Sequence, residues 1–152
     1  MVLNFNTLLK SFWFWFLIIF ISIQFIPMNV PEKLKDDPTK EIETPKEVKN
    51  ILKHSCYVCH SNSLHFPWYD KIAPASWFAK EHVKNGRRAI NFSNWKNYTK
   101  EKQLNILKKI PKSVIIRMPL PSYLWLHDEA KLSQDEKKLL KKWAKDLTEK
   151  IK

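Results

Sequence analysis

Hydrophobic positions follow two different rules along this chain. From Phe12 to Ile26 they are almost continuous, Phe-Trp-Phe-Trp-Phe-Leu-Ile-Ile-Phe-Ile-Ser-Ile-Gln-Phe-Ile, with no polar face. From Thr44 onward they recur every third or fourth position, the period of helices that bury one side. With Leu8 and Leu9, the first run approaches the roughly 20 residues that span a bilayer. Lys10 and the amino terminus precede it and no charge follows until Glu32, so the positive-inside rule keeps the N-terminus cytoplasmic and exports the rest. A cleaved signal peptide would need a small-residue site, yet no alanine occurs before Ala73. No cysteine precedes Cys56, which excludes a lipoprotein anchor. The run reads as an uncleaved signal anchor.

The periodic part predicts about four short helices. Thr44-Pro45-Lys46-Glu47 has the form of a capping box with proline at the first helical position. Val48, Ile51, Leu52 and Ser55 then mark one face, running straight into Cys56. A second helix is expected from about Pro74 through Trp77, Phe78, Glu81 and His82 to Gly86 as its C-cap. A third is expected over Lys100 to Lys109, with Leu104 and Leu107 inward, stopped by Pro111. A fourth starts at the capping box Ser133-Gln134-Asp135-Glu136, with Leu139, Leu140, Trp143, Leu147 and Ile151 as its apolar stripe. The proline-marked stretches 61–73 and 119–131 are expected to be irregular, and no internal repeat is visible.

Composition narrows the class. Gly86 is the only glycine among 152 residues, which argues against hairpin-rich β folds and removes Gly-rich phosphate loops. The net charge of +12 raises nucleic acid as a partner. The lysines, however, are spread along polar helix faces and not gathered into one patch, so no nucleic-acid partner is expected. A basic surface of this kind suits an acidic protein partner or anionic lipid.

The strongest chemical motif is Cys56-Tyr57-Val58-Cys59-His60. On a helical turn the two thiols lie at i and i+3 on one face, spaced to add to the two vinyl groups of one porphyrin edge, and His60 at i+4 from Cys56 can reach the iron. A zinc site usually needs two such pairs, though His60 and His65 could in principle complete a set. A thioredoxin-like pair needs a βαβ context, which is missing, and a plain disulfide gives no reason for the adjacent histidine. One covalent haem c is the preferred reading. For the sixth iron position the candidates are Met118, His54, His65, His82 and His127. Met118 is preferred, as the only methionine after the 28–43 stretch, held before Pro119 on an extended segment. Trp68, Tyr69, Trp77, Phe92 and Trp95 are expected to wrap the porphyrin or fill the core, with Arg87 or Arg88 available to a propionate.

From Cys56 to Trp143 the chain resembles the haem-binding domain family of small exported bacterial proteins, a c-type-cytochrome-like group. The residues that carry the resemblance are Cys56-Tyr57-Val58-Cys59-His60-Ser61-Asn62-Ser63, Phe66-Pro67-Trp68-Tyr69 and Ile72-Ala73-Pro74-Ala75-Ser76-Trp77, then His82 to Arg87, Asn91 to Trp95, Met118-Pro119 and His127 to Ser133. The approach Val114-Ile115-Ile116-Arg117 departs from the more acidic, glycine-containing one expected there. The resemblance implies one c-type haem, His60 as proximal ligand and Met118-Pro119 as the distal element. It implies no particular reaction.

The expectation is therefore a mostly α, cytochrome-c-like small helical haem domain preceded by an N-terminal transmembrane helix. Residues 1–27 are the signal anchor, 28–43 an extended tether and 44–152 the monohaem domain. Cys56, Cys59, His60 and Met118 hold the haem, with His60 and Met118 on the iron. The expected function is electron transfer to a redox partner protein, more an electron carrier than an enzyme. A single pass through the inner membrane would leave the haem domain in the periplasm. The alternative is a gas or redox sensor, or a peroxidase-like protein, with an open sixth position.

Overall fold

The computed structural model describes residues 10–27, 34–63 and 67–152. Parts of the expected anchor and tether, and His65, lie outside them. The described residues contain helices and turns and no strand. The helices are α1 (Phe12–Gln24), α2 (Lys46–Ser55), α3 (Tyr57–His60), α4 (Ala75–Ala89), α5 (Lys100–Ile116), α6 (Pro121–Leu124) and α7 (Gln134–Ile151). Single 3-10 turns occupy Trp68–Lys71 and Asp128–Ala130, and two such turns meet at a kink at Asn94 within Phe92–Asn97. The chain divides into two compact units, one of residues 1–32 and 66–82, the other of 33–65 and 83–152.

The first unit holds α1, the 3-10 turn after Pro67 and the start of α4. Helix α1 is apolar on every side and buries none of its residues. Among the described residues no helix is long and apolar enough to cross a membrane. The 13 residues of α1 reach only part of the way.

The second unit has the hydrophobic core. Helices α5 and α7 form its main helix pair, and α2 packs on α7. Val48, Ile51 and Leu52 of α2, Leu107 and Val114 of α5, and Leu140, Trp143 and Ala144 of α7 meet in one cluster with Tyr57, Phe92 and Trp95. These are the stripes expected from helical spacing. The box at the start of α7 is complete, with Glu136 N donating to Ser133 Oγ and Ser133 N donating to Glu136 Oε2.

Three expected helix ends are different in the structure. Helix α2 begins one residue later, because the Pro45 carbonyl accepts its first backbone bond, from Lys49 N at 2.9 Å. The Thr44 hydroxyl is buried without a partner, so no capping box forms. Gly86 does not end α4, which continues to Ala89 with Gly86 in ordinary helical conformation. Helix α5 passes through Pro111 and ends at Ile116. Proline in a helix interior costs about 3 kcal/mol, and here Leu107 and Val114, buried on either side of it, hold the helix to the core.

Candidate functional site

The CxxCH turn is built on a break between two helices. Cys56 has non-helical φ/ψ and separates α2 from α3. Its carbonyl accepts from Cys59 N at 3.2 Å and His60 N at 2.9 Å, so residues 56–60 still form one helical turn. Asn62 and Arg87 fasten the turn from below. Arg87 Nε donates to Ser61 O at 2.8 Å and its Nη2 to Asn62 O at 3.2 Å. Asn62 is fully buried, accepts from Asn91 Nδ2 at 2.7 Å and donates from its backbone N–H to Ser93 Oγ at 3.1 Å.

His60 is held through one nitrogen. Its Nδ1 donates to the carbonyls of Gly86 at 3.0 Å and Ile90 at 3.1 Å. Burial pushes its pKa below the ordinary histidine value, against the opposing pull of those carbonyls, so the ring favours the neutral form. With the proton on Nδ1, the lone pair is on Nε2, the arrangement of a metal-ligating imidazole fixed by its other nitrogen. The approach of α4 explains the chain's only glycine. A Cβ on Gly86 would lie 2.7 Å from the Cys59 carbonyl oxygen.

Both cysteines are free. Burial pushes the Cys56 thiol up to about 12, reinforced by Cys59. Burial also raises Cys59, with Arg87 pulling the other way. The described residues have no strand, so the βαβ context of a thioredoxin-like pair is missing among them.

Cys56 and His60 line a cleft of about 900 Å³ of empty space, counting its open mouth. Helix α5 forms a wall with Ile106, Lys109, Ile110, Ser113 and Val114, continued by Arg117, all at helical spacing on one face. Met118 and Pro119 follow from the chain after α5, and Phe92, Leu132 and Leu140 complete the apolar lining. The Ser55 hydroxyl, also on this wall, is buried without a partner. One neutral imidazole, one thioether and the Cys56 thiol on an aliphatic slot, with the Cys59 thiol three residues on in the same turn, form a donor set that fits haem.

The other expected residues fall elsewhere. His54 donates to Glu129 O at 2.6 Å, His82 to Phe78 O at 2.7 Å and His127 to Glu129 Oε1 at 2.9 Å, and none of the three lines the cleft. Cys59 lies against Gly86 and is not on the cleft wall. Of the five aromatics, Phe92 lines the cleft and Trp95 fills the core, whereas Trp68 is 74% exposed. Neither expected propionate partner lines it. Arg87 fastens the CxxCH turn and Arg88 is exposed beside Asn85. The cations on the wall are Lys109 and Arg117. Sequence reasoning missed Arg117 by stopping the helix at Pro111, although the helical spacing continues through Ser113, Val114 and Arg117, and missed Lys109 because nothing local sets it apart from Lys108 beside it.

A family model described as Haem-binding domain matches residues 18–146. No curated protein and no solved structure matches the chain.

Proposed function

The chain belongs to the haem-binding domain family, and from that premise we propose that it is a membrane-tethered, monohaem c-type cytochrome-like protein that passes single electrons outside the cytoplasm. The observation that carries this reading is the cleft itself. It has His60, fixed through Nδ1, and Met118 on its lining, and none of His54, His82 and His127.

Each residue would have a definite task toward a bound haem. Cys56, on the lining, and Cys59, one turn away against Gly86, would each add an S–H across one vinyl group, giving two thioethers without net oxidation or reduction. His60 would offer Nε2 to the iron, with Gly86 and Ile90 keeping its ring from turning. Met118 would offer a soft sulfur, a ligand that favours the ferrous state. The apolar lining would exclude water, and Lys109 and Arg117 on it would be available to the porphyrin carboxylates. Haem would supply one-electron exchange when bound.

The tethered part of the reading is supported by the polar-face-free run from Phe12 to Ile26 and the charge bias around it. It puts a single pass in the inner membrane and the haem domain in the periplasm, where attachment of this kind is made. The +12 net charge suits an acidic redox partner.

The test is Met118→Ala in the full-length holoprotein. The expected result is a ferric spectrum moving toward high spin, a lower potential and ready carbon monoxide binding by the ferrous form. Met118→His is expected to stay six-coordinate at a lower potential, and His82→Ala and His127→Ala to leave the spectrum unchanged. A silent Met118→Ala removes Met118 from the iron. Free carbon monoxide binding by the parent protein would put the sensor reading first.

A further inference from the structure

The end of α1 is tied to a segment far along the chain. Gln24, the last residue of that apolar helix, donates from Nε2 to Ala73 O at 3.1 Å and accepts from Ala73 N through Oε1 at 2.9 Å. The two bonds use both ends of one side-chain amide, so they fix orientation as well as distance. Ala73 is buried at this junction. The apolar run does not stop at the clamp, because Phe25 and Ile26 follow it and both are exposed.

Around Ala73, three large apolar side chains point away from the protein. Trp68 is 74% exposed, Ile72 40% and Phe78 66%. Single exposed hydrophobics are ordinary. Three within five residues of one clamped position, on a segment joined to a helix whose first ten residues are all apolar, make a patch that needs a cover. Lys71 is exposed on the same 3-10 turn as Trp68, and half-buried Lys80 lies two residues after Phe78, the two lysines outweighing the single buried carboxylate of Asp70 beside them.

We propose that the segment 67–78 is a membrane-interface foot, which sets Trp68, Ile72 and Phe78 into the headgroup layer of an anionic phospholipid bilayer. The inference rests on the tethered reading above. If α1 lies in the bilayer, the clamp at Gln24 brings Ala73 to the level where the chain leaves the hydrocarbon, and not beyond it, since Phe25 and Ile26 remain to be covered. Side chains around Ala73 then stand in the interface. Tryptophan is enriched at that depth, and lysines beside it meet acidic headgroups. A protein partner would explain the exposed aromatics but not their attachment to the end of the anchor.

The experiment uses full-length, haem-loaded protein in vesicles of phosphatidylethanolamine and phosphatidylglycerol. A photoreactive p-benzoylphenylalanine replaces Phe16, Trp68 or Phe78 in turn, and the irradiated protein is weighed intact. The expected result is a mass increase of one phospholipid from all three positions. Lipid adducts at Phe16 with none at Trp68 or Phe78 overturn the foot and leave the anchor standing. Protein adducts at Trp68 or Phe78 overturn it in favour of a docking face for a partner or a second copy. Lipid adducts at Trp68 and Phe78 without one at Phe16 keep the interfacial contact and overturn the spanning anchor. No adduct at any position overturns both.

Discussion

His60 and Met118 belong to the same cleft, but they are held by different means. His60 has two carbonyls on Nδ1, a glycine contact behind Cys59 and an arginine clamp beneath its turn. Met118 is set by where a helix ends. Its backbone N–H donates to Ser113 O at 2.9 Å, the same carbonyl that receives Arg117 N at 3.0 Å. The thioether itself is placed only by packing. The His60 side is thus built in advance of any occupant, whereas the Met118 side depends on the loop that follows α5. A ligand fixed by hydrogen bonds and sterics tolerates little change around it, and one carried on a loop can be exchanged.

The largest effect should come from removing the attachment on the His60 side. Cys56→Ala with Cys59→Ala is expected to abolish all covalent haem, read as loss of haem stain after denaturing electrophoresis. Stability should fall with it, because a group bound only by the folded state no longer contributes. Full-strength stain in the double variant would show that the thiols are not the attachment points.

Gly86→Ala tests how tight that side is. In an ordinary helix the change gains about 1 kcal/mol of helix propensity. Here the new methyl meets the Cys59 carbonyl oxygen at 2.7 Å and Cys59 Cβ at 3.1 Å. Overpacking of this kind costs roughly 1–3 kcal/mol, and a helix backbone facing a carbonyl has no flexible end to swing aside. The expected outcome is a lower Tm in denaturation of the holoprotein, together with a perturbed haem spectrum. A variant at least as stable as the parent, with an unchanged spectrum, would mean that the contact between α4 and Cys59 is slack.

The same contrast separates what the amino-acid pattern disclosed from what it did not. The CxxCH turn, the stripes of α2 and α7 and the box at Ser133 are local rules, read within one or two turns, and each appears as expected. Local rules put Gly86 at a helix end, where glycine commonly serves, but its role is a close contact with Cys59, far back in the chain. The same rules make Pro111 a stop, yet burial of Leu107 and Val114 carries α5 past it. That extension brings Ser113 and Arg117 to the cleft and positions Met118. Likewise, nothing local distinguishes Arg87, turned onto two carbonyls, from a cation free to meet a carboxylate. Long-range contacts decide these positions, and single-chain periodicity does not carry them.

The smallest expected effect concerns the two cations on the Met118 side of the cleft. Lys109 and Arg117 lie on one face of the α5 wall, eight positions apart, which is about 12 Å along a helix. That spacing suits two separate carboxylates better than one. A positive charge near the porphyrin favours the reduced iron, and at ~10 Å with an effective dielectric constant of about 20 the Coulomb energy is roughly 1.7 kcal/mol. Both side chains are exposed, so solvent and salt reduce this to below about 1 kcal/mol, or roughly 40 mV for one electron. Lys109→Ala and Arg117→Ala are each expected to lower the potential by no more than that amount, and by less as ionic strength rises. Lys112→Ala, on the same helix but off the cleft lining, is the control and should shift it least. Redox titration at low and high salt checks the order. Equal shifts from Lys109, Arg117 and Lys112 would reduce the effect to net charge alone. A larger shift from Arg88→Ala would return the carboxylate contact to the arginine pair after Gly86.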